Sequence, residues 1–446
     1  MSIATATVAD AIPARGAVTE TAHTAVRKFL DVTDAAIASY LEGCVHCGQC
    51  AEACHFYLTQ DDAKYTPTYK LWPLVKAYKR HKAPFSGLKR MIGLAPDEVT
   101  DDELAEWTEL VYDSCTLCGR CTLVCPMGID IAGTIRKMRE GFTAAGLAPE
   151  GLVEAEERTL KTGSPMGITP KTLAAQVTAQ ERECGLEIPL DKAGADYMVI
   201  LSSMEIMGFP EIFGALARIF KQAGVSWTIS TKAYEGTNVG VQIGNRETAR
   251  TLVERVVTAA EELGVKYVIS PECGHAYGAL RWEGPNLMGR PFKFEVVHIL
   301  ELLDQLRREG RIHTRGHDDR VATLHDPCQI VRRGGVVSQP RHLLKEFSRG
   351  FVEMDNAGVT NICCGGGGGV SANPRAAELQ SAAFDCKKAQ LDAIPGLELL
   401  VSPCANCRTV LEEALDEREI DLEVIGLAEY LADYLDDGTG ETQGTA

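Results

Sequence analysis

Beyond residue 190 the apolar positions fall into short unbroken runs that alternate with longer amphipathic stretches. "ADYMVILSS", "VSWTIS" and "VKYVISP" read as buried strands. Between them, "EIFGALARIFKQAG" and "RETARTLVERVVTAAEELG" carry helical periodicity, and Gly264 supplies a stop for the second. Strands alternating with helices of this length predict a parallel sheet covered on both faces. The alternation returns after residue 320. "RVATLHDPC" runs from strand into loop, "NPRAAELQSAAFDCKKAQLDA" is helical, and "LELLVSPCANC" is again strand into loop. Two echoes point to a duplication. "KYVISPECGH" parallels "ELLVSPCANC", which sets Glu272 beside Cys404 and His275 beside Cys407, and "FKFEVVHILELLDQL" parallels "IDLEVIGLAEYLADYL". The expected fold class is therefore α/β, with two pseudo-symmetric halves and sites near the carboxyl ends of the strands.

The front of the chain is patterned differently. "TYKLWPLVKAYKR" predicts a helix with basic side chains on its polar side, and residues 128–155 predict another beginning near Asp130. Trp72 and Trp107 read as core residues. Residues 161–190 mix Gly, Pro and polar residues and read as a linker. The expected boundaries are an N-terminal extension over 1–39, a helical domain over 40–160, the linker over 161–190, and halves over 191–315 and 320–440.

Composition narrows the function. The chain has 446 residues and a net charge of −17, which argues against a nucleic-acid partner. No run of apolar residues is long enough for a membrane-spanning helix, and "MSIATATVADAIPARG" lacks the basic-then-apolar order of a secretory signal. Sixteen cysteines are the unusual feature, and twelve of them stand in C-x-x-C, C-x-x-x-C or CC groupings. A chain this large does not need a disulfide scaffold, so metal-bound thiolates in a reducing, cytoplasmic compartment are expected.

"CVHCGQCAEAC" places cysteines at 44, 47, 50 and 54, and "CTLCGRCTLVCP" at 115, 118, 121 and 125. This is the spacing of two-cluster ferredoxins, in which the fourth cysteine of each run reaches the other cluster. The expected ligands are Cys44, Cys47, Cys50 and Cys125 for one cubane 4Fe-4S cluster, and Cys115, Cys118, Cys121 and Cys54 for a second. His55 stands where the first run would carry proline, which alters the local turn but not the ligand count. Zinc is the competing occupant of any C-x-x-C group.

The second α/β half carries Cys328, Cys363, Cys364, Cys404 and Cys407. Loops leaving one sheet edge can bring all five together, one more than a cubane requires. The glycines of "NICCGGGGGV" leave room beside the adjacent pair and offer N–H groups to sulfur. A phosphate loop is the rival reading of those glycines, but the stretch has neither a spaced G-x-G-x-x-G nor a terminal G-K-[ST]. Cys184 and Cys386 are isolated and read as buried thiols.

The pattern "HDPC…CCGGGGG…PCANC" resembles the cysteine-rich CCG domain of heterodisulfide reductase catalytic subunits. Joined to the two front runs, the resemblance covers roughly residues 40–435. It implies a helical two-cluster ferredoxin domain followed by two parallel-sheet CCG-type halves. It also implies a noncubane 4Fe-4S cluster held by Cys328, Cys363, Cys364, Cys404 and Cys407. The first half departs from the pattern, with Cys273 as its only CCG-like cysteine, "AYEGTNVG" near the place of "NICCGGGG", and Met204 or Ser203 in its first loop. One noncubane cluster is implied, not two. "ECGH" is closer to the K subunit of the sulfite-reductase-associated membrane complex and to D-type heterodisulfide reductase subunits than to glycolate oxidoreductase subunits.

The activity implied is reduction of a disulfide or sulfur chain, or the reverse thiol oxidation. Its implied partners are a membrane haem b subunit, other respiratory-complex subunits and a small paired-cysteine or sulfur-carrier protein. The chain would then sit peripherally on the cytoplasmic face of the membrane. His275, Glu235 and Glu272 are candidates for proton delivery or substrate contact, each with a plain structural alternative. His325 reads as a supporting group beside the Cys328 loop. The second function class is an electron-transfer subunit of a glycolate- or lactate-type complex, with a flavin dehydrogenase partner doing the chemistry.

Overall fold

The structure is a computed structural model that describes residues 16–436; the signal-peptide reading of residues 1–15 lies outside them. Among the described residues the chain forms two compact units. One takes the residues up to Val153, with Val241–Arg246 and Gly365–Cys386; the other takes Glu154–Gly240, Glu247–Cys364 and the residues from Lys387.

The first unit is helical. Thr19 caps a helix over Glu20–Val32 that buries Ala22, Ala25, Val26 and Phe29. Phe29 packs on Phe142 of the helix Ile131–Ala144, with ring centroids 5.5 Å apart. Part of the expected N-terminal extension is thus core of this unit. Asp130 caps the helix Ile131–Ala144, where the sequence puts its start, but the helix expected over 128–155 is broken after Ala144 and a second runs over Glu150–Thr162. The helix Trp72–His81 follows from "TYKLWPLVKAYKR", with one exception to its basic polar side. Lys76 is buried and pairs with both oxygens of Glu103 at 2.6 and 2.7 Å. Trp107 is core and donates to the Tyr69 carbonyl at 2.9 Å, whereas Trp72 is half-buried.

The second unit holds two four-stranded parallel sheets. The strands are β1 (Tyr197–Val199), β2 (Trp227–Ile229), β3 (Tyr267–Ser270), β4 (Glu295–His298), β5 (Ala322–Leu324), β6 (Phe351–Val352), β7 (Leu399–Val401) and β8 (Glu423–Ile425). The orders β2-β1-β3-β4 and β6-β5-β7-β8 are the same topology used twice. Val199 registers with Ile269 in one sheet as Leu324 registers with Val401 in the other. The duplication read from the echoes is therefore present, and the fold class is as expected. The segment 161–190 contains a helix, Pro170–Cys184, capped by Thr169 and ended by Gly185 at φ +68°. Cys184 and Cys386 are part-exposed rather than buried. No helix among the described residues is long and apolar enough to cross a membrane.

The end of the glycine run belongs to the first unit. Gly368 sits at φ +63°, and a Cβ there would lie 2.8 Å from the Thr116 backbone. The glycine therefore serves close chain approach next to Cys115. Replacing Gly368 with Ala combines left-handed strain with a backbone clash. It should lower stability by about 2 kcal/mol or more, read as a fall in melting temperature of the iron-loaded chain.

Candidate functional site

The two front runs fold alike. His46 and Leu117 have φ of 52° and 56°, and Gly48 and Gly119 follow at 81° and 76°. In each run a left-handed residue precedes the second cysteine and a glycine follows it, which curls the loop so that its thiols face one side. One cavity is lined by Cys44, Cys47, Cys50 and Cys125 together. Another is lined by Cys54, Cys115, Cys118 and Cys121. These are the crossed groupings read from spacing. Cys47 is exposed, while burial pushes the Cys121 thiol well above its ordinary range.

Two buried cations flank the second cavity. Lys70 lines it, and its ammonium donates to the Ser114 carbonyl. Arg139 is fully buried and donates to the carbonyls of Val111, Cys115, Gln242 and Gly368 at 2.6–3.0 Å. Neither forms an ion pair with a carboxylate among the described residues. Asp113, the carboxylate whose charge acts on Arg139, is taken by Arg375 at 2.6 and 2.8 Å and by Asn373 at 2.6 Å. Two buried cations without carboxylates suit an anionic occupant such as a thiolate-bound iron-sulfur cluster.

In the second unit, the loop after β5, the CC segment and the loop after β7 bring five buried cysteines together. Cys328 Sγ lies 3.8 Å from Cys363 Sγ, and Cys364 Sγ lies 3.2 Å from Cys407 Sγ. A hydrogen bond from Cys407 holds the Cys404 thiol low, and the bonds to Cys364 and Cys404 push Cys407 up. His325 is fully buried, and the ligand atoms of His325, Cys364 and Cys407 lie within 4.8 Å of one another. Neither ring nitrogen of His325 has a hydrogen-bond partner, and burial holds the ring neutral. An orphaned imidazole among soft thiolates fits a metal cluster that accepts its N–H or takes its lone pair.

The first half answers this centre with different chemistry. Ser203 stands four residues beyond the end of β1, as Cys328 stands four beyond the end of β5. "AYEGTNVG" brings Glu235 to Ser203 as "NICCGGGG" brings Cys363 to Cys328. The Ser203 hydroxyl donates to Glu235 Oε2, Ser164 Oγ lies 2.7 Å from Ser203 Oγ, and the Thr237 N–H donates to Glu235 Oε1 at 2.7 Å. Met204 is not the counterpart. Glu235 also lines a cavity with Lys232 and Arg255.

Cys273 caps the turn Gly274–Tyr277 with φ −144° and ψ 105°, and Cys404 caps the helix Ala405–Asp416 with φ −157° and ψ 112°. Cap geometry therefore pairs Cys273 with Cys404, one residue away from the pairing of Glu272 with Cys404 that the aligned letters suggest. The strand register keeps the lettered pairing, so the shift arises in the loop itself. Glu272 is buried, and its Oε1 accepts from the Ala428 N–H at 3.0 Å while its carbonyl accepts from the Ala405 N–H at 3.0 Å. This carboxyl ties the two halves of the unit together. His275 is half-buried on the turn after Cys273.

Four residues near these sites escape sequence reasoning. Lys70 and Arg139 read as ordinary helix-surface cations. Lys387 is buried, donates to Gln390 Oε1 at 2.6 Å, and is pulled down to about 8 by burial, with Asp326 and the thiols of Cys364, Cys363 and Cys407 acting the other way. Its signal was present: Lys387, Gln390 and Leu391 share the inward face of the helix Asp385–Asp392, where an apolar residue belongs. Glu205 completes a capping box with Ser202 and accepts from the Glu272 N–H at 3.2 Å.

Burial lifts the Glu235 carboxyl from its ordinary 4.5 to about 7. A carboxyl raised on folding leaves its full stability below pH ~4.5 and loses it as pH rises through ~7. Glu235→Gln should remove a penalty of up to about 3 kcal/mol at high pH. The variant should melt higher relative to wild type at pH 8 than at pH 5, measured on the iron-loaded chain.

The family profile described as a 4Fe-4S dicluster domain matches residues 40–129, and the CCG profile, a cysteine-rich domain, matches residues 322–412. The chain is 27% identical over 451 residues to the Hdr-like menaquinol oxidoreductase iron-sulfur subunit 2 of Archaeoglobus fulgidus, covering 89% of this chain and 80% of that one. It is 27% identical over 392 residues to the D-type polypeptide of the dihydromethanophenazine:CoB--CoM heterodisulfide reductase of Methanosarcina acetivorans, covering 86% and 91%. It is 28% identical over 418 residues to the EtfAB:quinone oxidoreductase of Syntrophomonas wolfei, covering 88% of this chain and 58% of that one. Similarity along most of the chain, together with a thiol and imidazole centre inside the CCG match, makes this protein an iron-sulfur oxidoreductase related to the heterodisulfide reductase-like proteins.

Proposed function

We propose that this chain reduces a disulfide or sulfur chain, or oxidises thiols in reverse, at the five-cysteine centre of its second α/β half. Electrons would enter through the eight cysteines at the front. The observation that carries the reading is the buried convergence of Cys328 with Cys363 and of Cys364 with Cys407, beside an orphaned His325. Five thiolates would hold a noncubane 4Fe-4S cluster, and the two crossed sets of four would hold cubanes. Bound clusters supply single-electron steps and iron that can take a sulfur ligand.

Splitting one S–S bond consumes two electrons and two protons and yields two thiols. The chain's own residues account for the protons and the charge. Glu235 is buried, lies on a cavity and is hydrogen-bonded through Ser203 to Ser164, which suits a group that holds a proton and passes it on. His275 stays a candidate for substrate contact. The two hydrogen bonds that Glu272 receives from the other half favour its structural role. Lys387 places positive charge beside Cys363, Cys364 and Cys407, which favours added negative charge there. Lys70 and Arg139 do the same beside the Cys115 set.

The relatives named for menaquinol and dihydromethanophenazine support a membrane electron partner, which in this reading is a haem b subunit that the chain meets from the cytoplasmic face. A small paired-cysteine or sulfur-carrier protein is the proposed substrate. The relative named for EtfAB and quinone favours a second reading, electron transfer to or from a flavoprotein partner that does the chemistry.

Anaerobic analysis should find about twelve irons per chain, four from each 4Fe-4S site. A reproducible value near eight, with both front sites full, would remove the third cluster. Cys364→Ser and Cys364→Ala should abolish turnover of a disulfide or sulfur-chain substrate, together with any substrate-dependent paramagnetic signal in rapid-freeze spectra. Fast reduction of the front clusters should persist. Normal turnover in both variants would move the chemistry elsewhere and favour the flavoprotein reading. Arg139→Gln should make the potential of a front cluster more negative, because a buried positive charge favours the reduced, more anionic form; a paramagnetic redox titration reads this directly.

A further inference from the structure

Residues 63–96 carry eight Lys and Arg and no Asp or Glu, in a chain whose net charge is −17. Within this segment, residues 87–94 are all exposed, and the short helix Ser86–Met91 buries none of its side chains. Five large apolar side chains lie on or beside it: Phe85 is 77% exposed, Leu88 52%, Met91 77%, Ile92 54% and Leu94 71%. Large apolar residues concentrated this way on a surface call for an occupant. Phe85 caps the helix in the left-handed region, at φ 61° and ψ 19°, a conformation that aromatic residues rarely take.

The base of the projection is held. Arg80 binds the Pro96 carbonyl at 2.7 Å and pairs with Glu98, and Lys82 donates to the Leu30 carbonyl. The cations further along are not held. Lys89 and Arg90 have no ion-pair partner among the described residues, so their charge is available to something outside. The combination is a fixed stem, an apolar tip and two uncommitted cations.

We propose that residues 85–94 form a membrane-surface anchor whose occupant is an anionic lipid bilayer, with Phe85, Leu88, Met91, Ile92 and Leu94 in the interfacial layer and Lys89 and Arg90 on the headgroups. Charge decides between lipid and protein. The short cytoplasmic loops of integral membrane proteins carry an excess of Lys and Arg, which would repel this patch, whereas anionic headgroups attract it. The helix is far too short to span, so the contact is superficial. The helix Trp72–His81, which leads into the projection, also contributes Trp72, Val75 and Lys79 to the cavity of Cys44, Cys47, Cys50 and Cys125. A bilayer gripping this projection would hold that cysteine set near a membrane electron source. The anchor itself does not depend on the redox reading.

Co-sedimentation of the iron-loaded full chain with protein-free lipid vesicles tests the anchor. The chain should pellet with mixed phosphatidylglycerol–phosphatidylcholine vesicles, pellet poorly with pure phosphatidylcholine, and lose binding as salt rises. Lys89→Gln with Arg90→Gln should weaken binding roughly thirtyfold, from about 1 kcal/mol per basic residue at an anionic surface. A Phe85→Ser, Met91→Ser, Leu94→Ser variant should abolish binding while keeping the iron content and melting temperature of wild type. Failure to pellet with anionic vesicles at low salt overturns the proposal. So does equal pelleting of the variants. Binding to native membranes but not to vesicles of their extracted lipid also overturns it, and assigns the surface to a membrane protein.

Discussion

A buried positive charge that forms no ion pair with a carboxylate must find its anion elsewhere. Arg139 is that charge, and much of the first unit is arranged around it. Its guanidinium donates to carbonyls from four separate places in the sequence, Val111, Cys115, Gln242 and Gly368. Carbonyl dipoles hold the group in place but do not neutralise it, and the adjacent Asp113 is already committed to Arg375 and Asn373. The thiolates of the Cys115 set are the remaining source of negative charge, and Lys70 makes the same demand from the other side of the cavity. The metal-binding residues and the packing of this unit are therefore one electrostatic problem. Gly368 belongs to it as well, because only a residue without a side chain lets its carbonyl reach Arg139 so close to Thr116.

The second unit uses one topology twice and places different chemistry at matching loop positions of the two copies. Both halves keep the parallel order with the second strand at the edge and the first beside the third. Both keep a cysteine as the cap after the third strand, Cys273 and Cys404. The pair that closes the second centre, Cys328 and Cys363, is answered in the first half by a hydroxyl and a carboxyl that hydrogen-bond to each other. Without a metal to hold thiolates, this half buries instead a neutral carboxylic acid bonded to serine, which burial tolerates at modest cost. That explains why burial raises Glu235 rather than driving it to the surface. It also leaves, at the position that matches Cys363, a group able to give up a proton near neutrality.

Much of this was legible in the sequence because the determinants are local. Cysteine spacing carried the front groupings; the left-handed His46 and Leu117 were not visible, since neither residue type announces that conformation. The strand and helix alternation carried both sheets, but β6 is only two residues long and leaves no apolar run to read. The helix Pro170–Cys184 was hidden behind the Gly and Pro residues at its ends, which are its own start and stop signals. The buried cations were missed for a different reason. Periodicity places a lysine or arginine on a face, but whether that face looks at water or at thiolates depends on segments far away in the chain, as with Lys387 and Cys407.

The distribution of charge links the two ends of the redox problem. In a strongly acidic chain, the insert between the two front cysteine runs excludes carboxylates over residues 63–96. Part of that exclusion serves the interior, since Lys70 would be neutralised by a neighbouring carboxylate and lose its hold on the Cys115 set. Part serves the exterior, where Lys79, Lys89 and Arg90 stay uncommitted. An acid in this insert would weaken both functions, inward through the cavity and outward through the exposed surface. The extra length that separates the two cysteine runs is thus not neutral padding. It supplies a cation beside one cysteine set, Lys70, and part of the cavity wall of the other, Trp72, Val75 and Lys79, and it carries the exposed apolar and basic surface of residues 85–94.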